Sequence, residues 1–315
     1  MTNAQTIKTT LTSAAALLNT EEAALEVQLL LQHVLKVNRA WLIAHENDAL
    51  DVKDGEANNH AVFEALLKRR LNGEPIAYIL GYREFYGLKL KVTPYTLIPR
   101  ADTETLVEAA LARIPTQNPN RPSLRAKRSN LETKNSDEIA PSPSSSQRQT
   151  SVLDLGTGTG AIALAIAKHR PQALVTAVDT SEKTLSVAQK NAETLGIDNI
   201  HFIHSDWFGA LNAQRFDVIV SNPPYIETND KHLKQGDLRF EPISALASGM
   251  DGLDDIREII DSAALHLNPH GWLLLEHGYN QAETVAKLLM RAGFAEISHV
   301  LDLAGIQRVT LGRLI

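Results

Sequence analysis

Ser151-Val-Leu-Asp-Leu-Gly-Thr-Gly-Thr-Gly160 is the stretch that decides the fold. Its first five residues predict a short buried strand, and the small and apolar residues from Ala161 to Ala167 predict a helix that can lie close against a sheet. Gly156, Gly158 and Gly160 allow backbone angles that are closed to other residues, so a ligand can approach the main chain. The pattern therefore predicts a strand, a turn and a helix that together bind a nucleotide cofactor.

The sequence after this turn predicts two more strand tips with polar side chains. The glycine spacing is GxGxG rather than GxGxxG, which fits a dinucleotide pyrophosphate less well. A strand from Ala173 to Val178 ends at Asp179, where a carboxylate is placed to accept both hydroxyls of a ribose. A third strand, Ile200 to Ile203, precedes Asp206 and Trp207. These two are placed to bond an adenine amino group and cover its face, although an isolated tryptophan is more often a core residue.

A second motif, Asn222-Pro-Pro-Tyr225, follows the apolar run from Phe216 to Val220. Two consecutive prolines fix two φ angles and remove two backbone donors, which leaves carbonyls that only accept hydrogen bonds. Asn222 adds a side-chain acceptor and Tyr225 a flat aromatic face, so a planar amide or amino group could be held and stacked there. The alternative is a proline-stiffened loop. The position after a buried strand favours a functional site.

These motifs resemble those of the release-factor glutamine methyltransferases, the HemK/PrmC family. The resemblance extends to Ser205-Asp-Trp-Phe208, Arg239-Phe-Glu-Pro242, Gly81-Tyr-Arg-Glu-Phe-Tyr-Gly87 and Leu97-Ile-Pro-Arg-Ala-Asp-Thr-Glu-Thr-Leu-Val107. It covers nearly the whole chain, and Ala101 stands where the family more often carries proline. It implies an α/β fold, with a seven-stranded Rossmann-like methyltransferase domain preceded by a small helical domain and a β-hairpin linker.

The resemblance also implies a reaction. The methyl donor would be S-adenosylmethionine, leaving S-adenosylhomocysteine, and the acceptor would be the side-chain amide nitrogen of a glutamine. In that family the glutamine belongs to the Gly-Gly-Gln motif of class 1 peptide-chain release factors, and its methylation supports translation termination. The residues that would clamp the glutamine are Asn222, Pro223, Pro224 and Tyr225. The residues that would hold the cofactor are Asp154, Gly156, Thr157, Gly158, Thr159, Gly160, Asp179, Asp206, Trp207 and Asn222.

The chain divides into three predicted parts: a helical domain at 1–73, a hairpin linker at 74–100 and a catalytic domain at 101–315. Apolar spacing predicts the helices Ala14 to Leu18, Leu25 to Leu35, Arg39 to His45 and His60 to Leu71. Asn38 is a plausible N-cap for the third helix, and Leu88, Leu90 and Val92 alternate as in a strand. The helical domain is interpreted as a docking surface for the release factor; the alternative is a bundle that only packs on the catalytic domain.

Further elements are predicted around the two motifs. A helix from Thr103 to Arg113 begins the catalytic domain. Arg100 at its entrance could reach the cofactor or the linker, or serve only the helix cap, and the structural role is favoured. Residues 115–150 are basic and of low complexity, with Pro141-Ser-Pro-Ser-Ser-Ser146, and predict a mobile insertion. Toward the end of the chain, the pattern predicts the helix Ile259 to Leu267, the strand Gly271 to Glu276, the helix Gln281 to Ala292 and two closing strands, Glu296 to Leu301 and Gln307 to Leu311.

Composition narrows the class of protein. The net charge of -6 does not favour general binding to a nucleic-acid backbone, so no direct DNA contact is expected. The chain has no cysteine, and its 11 histidines lack metal-ligand spacing, so no metal site is expected. No apolar run approaches the length of a membrane span, so neither a leader nor an anchor is expected, and a cytoplasmic location fits. Three rival interpretations remain: an adenine-amino methyltransferase acting on nucleic acid, a nicotinamide dehydrogenase, and a non-catalytic binding protein.

Overall fold

The computed structural model describes residues 6–50, 59–116 and 149–315. Its N-terminal part contains the helices α1 (Ile7–Ala15), α2 (Ala23–Leu35), α3 (Arg39–Ala44), α4 (Asn59–Leu71) and α5 (Ile76–Leu80). These helices bury a shared apolar core that includes Leu30, Leu31 and Phe63. None of the helices in the described residues combines the length and apolar character that a bilayer crossing requires.

The sequence placed three of these helices well and misplaced or missed two. The predicted cap at Asn38 is confirmed, since its side chain accepts a hydrogen bond from the Trp41 N–H at 2.9 Å. The helix predicted from Ala14 to Leu18 is wrong in position. It is instead Ile7–Ala15, which starts where the Thr6 side chain accepts from the Thr9 N–H. Helix α5 lies within the predicted linker and packs on α2 and α4, with its Ile79 in the helical core.

A two-stranded hairpin follows, formed by β1 (Tyr82–Phe85) and β2 (Leu88–Lys91). The predicted alternation is confirmed, because Leu88 and Leu90 are buried whereas Lys89 and Lys91 are exposed. The backbone of Lys91 bonds in both directions to the side chain of Asn191, at 2.7 and 3.1 Å. The hairpin is therefore fixed against the catalytic domain.

The predicted seven-stranded sheet is confirmed. Its strands are β3 (Ser151–Leu155), β4 (Leu174–Asp179), β5 (Ile200–His204), β6 (Phe216–Ser221), β7 (Leu267–Glu276), β8 (Phe294–Leu301) and β9 (Gln307–Leu314). Their spatial order is β5-β4-β3-β6-β7-β9-β8. The first five are parallel, and β9 pairs antiparallel with both β7 and β8. The chain changes direction across the sheet between β3 and β6, which is where ligands bind in such folds.

Helices cover both faces of this sheet. The helices α6 (Glu104–Leu111), α7 (Ala161–His169) and α8 (Glu182–Leu195) pack on one core cluster, and α9 (Asp254–His266) and α10 (Ala282–Arg291) pack on the other. Burial on both faces explains why consecutive apolar residues of β3, such as Val152 and Leu153, are both buried instead of alternating with exposed ones. The helix predicted from Thr103 is preceded by a 3-10 turn, Ala101–Thr103. The predicted insertion lies, from 117 to 148, outside the described residues.

Candidate active site

The register of the sheet brings the sequence motifs to one edge. Leu155 is paired with Val178 on one side and with Ser221 on the other, and Ser221 is paired in turn with Leu275. Each of these four residues comes directly before a polar or glycine position. The carboxyl ends of four neighbouring strands therefore place Asp179, Gly156, Asn222 and Glu276 side by side.

The glycine turn has the conformation that its sequence predicts. Gly156, Gly158 and Gly160 have φ values of 69°, 58° and 82°, which disfavour any residue with a side chain. The turn is fastened to β4, since the Thr157 N–H donates to the Val178 carbonyl at 2.9 Å. A Cβ added at Gly156 would meet the Trp207 ring at 3.4 Å, so the turn and the tip of β5 lie in contact.

Asp154 supports this turn from beneath. It is fully buried, and its Oδ2 accepts from the Thr157 hydroxyl at 2.6 Å and from the Ala163 N–H at 3.2 Å. Its Oδ1 is buried without a hydrogen-bond partner among the described residues. Burial raises the pKa of Asp154 to about 7. Asp154 thus shapes the turn, and a direct contact with a cofactor stays a prediction.

Asp179 lies at the tip of β4 with both oxygens facing backbone donors. Its Oδ2 accepts from the Gly158 N–H and its Oδ1 from the Ser181 N–H, each at 3.0 Å. Burial raises its pKa, and these two hydrogen bonds oppose the rise. Each oxygen keeps a second lone pair, so the carboxylate can still accept the hydroxyls of a ribose.

The tip of β5 holds a strained aromatic residue. Trp207 has a φ of 39°, and the Ser205 hydroxyl donates to its carbonyl at 2.8 Å. A bulky residue in the left-handed region is uncommon and is often found at functional sites. The Trp207 side chain also packs against the core beneath it, as the alternative interpretation anticipated. Asp206 is exposed beside it.

The Asn222-Pro-Pro-Tyr225 clamp is held from both ends. The Asn222 Nδ2 donates to the Thr103 Oγ1 at 3.1 Å, and the Gln281 Nε2 donates to the Tyr225 carbonyl at 3.0 Å. Burial raises the pKa of Tyr225, so its phenol stays protonated at neutral pH. A Cβ added at Gly252 would fall 2.3 Å from the Tyr225 carbonyl oxygen, so only glycine fits behind the clamp.

A cavity opens at this clamp. Asn222, Pro223 and Tyr225 line it together with Arg100 and apolar residues that include Leu97 and Leu238. Pro224 and the glycine turn are not part of its lining within the described residues. The cavity thus contains three of the four predicted clamp residues, and the predicted cofactor turn lies beside it.

The helix-cap role favoured for Arg100 is wrong, and a contact of Arg100 with the cofactor stays a prediction. Its side chain makes no hydrogen bond to the helix cap; it forms an ion pair with Glu241 across the cavity wall. Glu241 is fully buried at its side chain and also accepts from the Ile98 N–H at 2.9 Å. The Arg239-Phe-Glu-Pro242 motif was the signal for this residue, but its partner could not be identified from spacing. The pair holds a guanidinium at the cavity.

The loop that holds Glu241 also connects the cavity to the N-terminal helices. Arg70 is buried between Glu26 at 2.8 Å and Asp237 at 3.1 Å, and the Arg239 Nη2 donates to the Asn72 carbonyl at 2.8 Å. Leu238, between these two contacts, lines the cavity. The segment that follows the clamp therefore contacts both the helical part and the cavity.

Glu276 is a site residue that sequence reasoning missed. It is 1% exposed, and its Oε2 has no hydrogen-bond partner among the described residues. Burial raises its pKa to about 7, while hydrogen bonding from Thr103, the charge of Arg308 and hydrogen bonding from Asn222 oppose the rise. Since Glu276 ends an apolar strand, its sequence context gave no sign that it lies next to Asn222.

We expect Glu276→Gln to change how stability depends on pH. Between pH 4.5 and about 7, the folded protein keeps a proton on Glu276 that the unfolded chain has released. The free energy of unfolding therefore falls as pH rises through this range. The variant lacks this loss. Without added cofactor, its unfolding midpoint should be higher than that of the wild type near pH 8, with the advantage shrinking near pH 5.

Asp154 also has a raised pKa, so it gives the stability a similar pH dependence. Because both proteins retain Asp154, its contribution cancels when they are compared at the same pH. Urea denaturation across this pH range is the measurement. A variant whose advantage over the wild type grows as pH falls would contradict the assigned sign.

Comparison with known proteins defines first the class and then the family. Residues 142–238 match the methyltransferase small domain, and residues 9–81 match the PrmC N-terminal domain. The fold is therefore that of a methyltransferase. The release factor glutamine methyltransferase of Pseudomonas aeruginosa is 43% identical over 304 residues, covering 96% of this chain and 97% of that protein. The protein of the same name from Escherichia coli K12 is 43% identical over 288 residues, 91% of each chain.

This chain belongs to the release factor glutamine methyltransferase family, which confirms the resemblance drawn from its motifs. A solved structure described as the protein-(glutamine-N5) methyltransferase (release factor-specific) from Alicyclobacillus acidocaldarius is 27% identical. Its alignment covers 69% of this chain and 94% of that one, with a TM-score of 0.36.

Proposed function

We propose that this protein transfers a methyl group from S-adenosylmethionine to the side-chain amide nitrogen (N5) of the glutamine in the Gly-Gly-Gln motif of class 1 peptide-chain release factors. Through this modification it would support translation termination. The observation that carries the proposal is the register that places the Asn222 clamp beside the glycine turn. The names of its relatives support the choice of substrate.

The residues at the strand edge fit S-adenosylmethionine. The turn from Gly156 to Gly160 leaves its backbone open to the methionine part, Asp179 can accept from the ribose, and Asp206 and Trp207 are placed to flank adenine. When bound, the cofactor supplies an electrophilic methyl group on a positively charged sulfur. These residue roles are part of the proposal.

The clamp would act on the glutamine amide by positioning it. An amide nitrogen is a poor nucleophile because its lone pair is delocalised into the carbonyl. If the Asn222 Oδ1 and the Pro223 carbonyl accept the two amide hydrogens, they favour the positive charge that builds on nitrogen as its new bond to carbon forms. Holding the reacting atoms in line can contribute roughly 7–11 kcal/mol.

The other residues of the clamp would keep this geometry fixed. The ring of Pro224 stiffens the loop, and Tyr225 would stack on the plane of the amide. The methylated amide is acidic enough to release its proton afterwards, so no strong base is needed before the transfer. The Arg100–Glu241 pair would hold a hydrogen-bond donor at the cavity.

The helical part would provide the docking surface for the release factor. We retain the division into 1–73 for docking, 74–100 for the linker and 101–315 for catalysis, with α5 as a helical element inside the linker. The contacts of Arg70 and Arg239 support a docking role, since they attach the helical part to the loop that lines the cavity. The cytoplasmic location stays a prediction.

The test is methyl transfer from labelled S-adenosylmethionine to a purified class 1 release factor. Two controls run beside it: the same factor with the Gly-Gly-Gln glutamine replaced by alanine, and duplex DNA. We expect label on the intact factor alone. Label on DNA would support an adenine-amino methyltransferase instead, and cofactor binding without label anywhere would support a non-catalytic binding protein.

A further inference from the structure

A glutamine that reaches the clamp brings its neighbouring peptide carbonyls to the cavity. Apart from the clamp and Arg100, the described residues of the cavity wall are apolar: Leu97, Ile226, Leu238, Ala245 and Leu246. The main-chain N–H groups of Ile226, Ala245 and Leu246 are already bonded to carbonyls of the protein. A carbonyl that leaves water without finding a donor is unfavourable, so the peptide needs a donor from another part of the wall.

Arg100 can supply that donor. It lines the cavity, and its side chain is 36% exposed. A guanidinium carries five N–H groups in a planar fork. Within the described residues, the one hydrogen bond of this guanidinium goes to Glu241. Most of its N–H groups therefore remain open to a ligand in the cavity.

Glu241 holds the Arg100 guanidinium in place. The Glu241 side chain is fully buried, and its Oε1 accepts from Arg100 while its Oε2 accepts from the Ile98 N–H at 2.9 Å. Because both carboxylate oxygens are fixed, the guanidinium loses less side-chain freedom when a ligand binds. The negative charge of Glu241 also repels a second carboxylate. The pair therefore suits a neutral acceptor, such as a peptide carbonyl.

The chemistry of the transfer indicates which carbonyl this is. The side-chain carbonyl of the glutamine shares the lone pair of the amide nitrogen. A cation at that oxygen would draw the lone pair further from the nitrogen and oppose the transfer. A main-chain carbonyl is not conjugated with the reacting nitrogen, so a donor there binds the peptide without weakening the nucleophile.

We infer that Arg100, held by Glu241, is a substrate-binding residue that donates to a main-chain carbonyl of the peptide segment that carries the reacting glutamine. This inference deepens the proposed function and rests on it for the identity of the peptide. The main chain does not change during the transfer, so the contact is equally strong before and during the reaction. Its loss should weaken binding of the release factor and leave kcat unchanged.

The test removes the two charges of the pair together. Arg100→Met alone would leave a buried carboxylate unpaired, whereas Arg100→Met/Glu241→Gln avoids this and keeps an acceptor for the Ile98 N–H. Calorimetry should show the Kd of the release factor for the protein loaded with S-adenosylhomocysteine rising roughly 10- to 100-fold, as expected for one hydrogen bond from a charged group. The Kd for S-adenosylmethionine and kcat at saturating factor should stay within about twofold.

The ion pair between Arg313 and Glu296 provides a matched control. Its arginine side chain is 34% exposed, close to the 36% of Arg100. Arg313 is paired with Trp272 on β7, four positions before the end of that strand at Glu276, and so lies away from the carboxyl edge. Arg313→Met/Glu296→Gln should leave both Kd values and kcat unchanged.

Three outcomes would overturn the inference. They are an unchanged Kd for the release factor in Arg100→Met/Glu241→Gln, a raised Kd for S-adenosylmethionine in its place, which would assign Arg100 to the cofactor, and a lower kcat with unchanged Kd values. The binding measurement also separates this inference from the proposed function. A wild type that binds the factor through Arg100 but transfers no methyl group would refute the proposed function and uphold the contact.

Discussion

Asn222→Ala should lower the turnover of release-factor methylation on the order of 10²–10³-fold, the size of effect seen when one preorganised hydrogen-bonding group is removed from a site of developing charge. The variant loses the side-chain acceptor for the substrate amide while the Pro223 carbonyl remains. Its affinity for S-adenosylmethionine should change by no more than about twofold, because the glycine turn and Asp179 lie on neighbouring strands and keep their own contacts.

Single-turnover methylation measures the turnover, and calorimetric titration with S-adenosylmethionine in the absence of release factor measures the affinity. Asn229→Ala is a suitable control, since Asn229 is an exposed residue on the same loop whose loss should leave both quantities unchanged. Equal losses of affinity and turnover in Asn222→Ala would contradict the separation between the clamp and the cofactor turn. Full turnover with normal binding would remove Asn222 from the reaction.

Much of this site could be predicted from the sequence because each motif carries its own local physics. Apolar runs predicted β3 and β6, glycines predicted the positive φ angles between β3 and α7, and consecutive prolines predicted a stiff loop. The order of strands in the sheet then required the family resemblance, since no local pattern states that Ser221 pairs with both Leu155 and Leu275.

The residues that sequence reasoning missed are those whose roles arise only from packing. Thr103 and Asn222 are 119 positions apart, and Arg100 and Glu241 are 141 apart. Neither pair leaves a spacing signal, because long-range side-chain contacts follow from how helices and loops pack on the sheet. Glu276 was predicted only as the last residue of a strand, and its buried carboxyl becomes informative once its neighbours are known.

Short elements were the other source of error. Helix α5 has five residues and follows Pro75, so its sequence resembles a linker, and it forms because Ile79 packs into the helical core. Helix α1 was placed too late because its apolar residues are sparse, and its true start depends on the Thr6 cap. In both cases tertiary contacts and capping, rather than periodicity, set the boundaries.

The loop after the clamp gives the helical part a physical route to the site. Asp237 pairs with Arg70, Leu238 lines the cavity, and Glu241 holds Arg100. A release factor bound to the helical part would therefore contact a surface that shares this loop with the cavity. If the helical part docks the release factor as proposed, docking and substrate positioning would be joined through the short segment from Asp237 to Glu241.

Asp179→Ala should have the opposite profile to Asn222→Ala. We expect the Kd for S-adenosylmethionine to rise roughly 10- to 100-fold, because hydrogen bonds to a charged group each contribute about 1.5–3 kcal/mol. Part of this loss would come from the turn itself, since the Gly158 N–H loses its acceptor. At saturating cofactor the turnover should recover to within a fewfold of the wild type, because the clamp is intact.

Asp179→Asn separates the two contributions to that loss. The amide keeps one acceptor oxygen with two lone pairs, so it can no longer accept from the Gly158 N–H, the Ser181 N–H and both ribose hydroxyls together. Its Kd should fall between those of the wild type and Asp179→Ala, whereas Asp198→Ala, which removes an exposed carboxylate before β5, should bind normally. If Asp179→Ala bound the cofactor with unchanged affinity, the ribose would have to be held elsewhere, and the assignment of the β4 tip to the cofactor would be wrong.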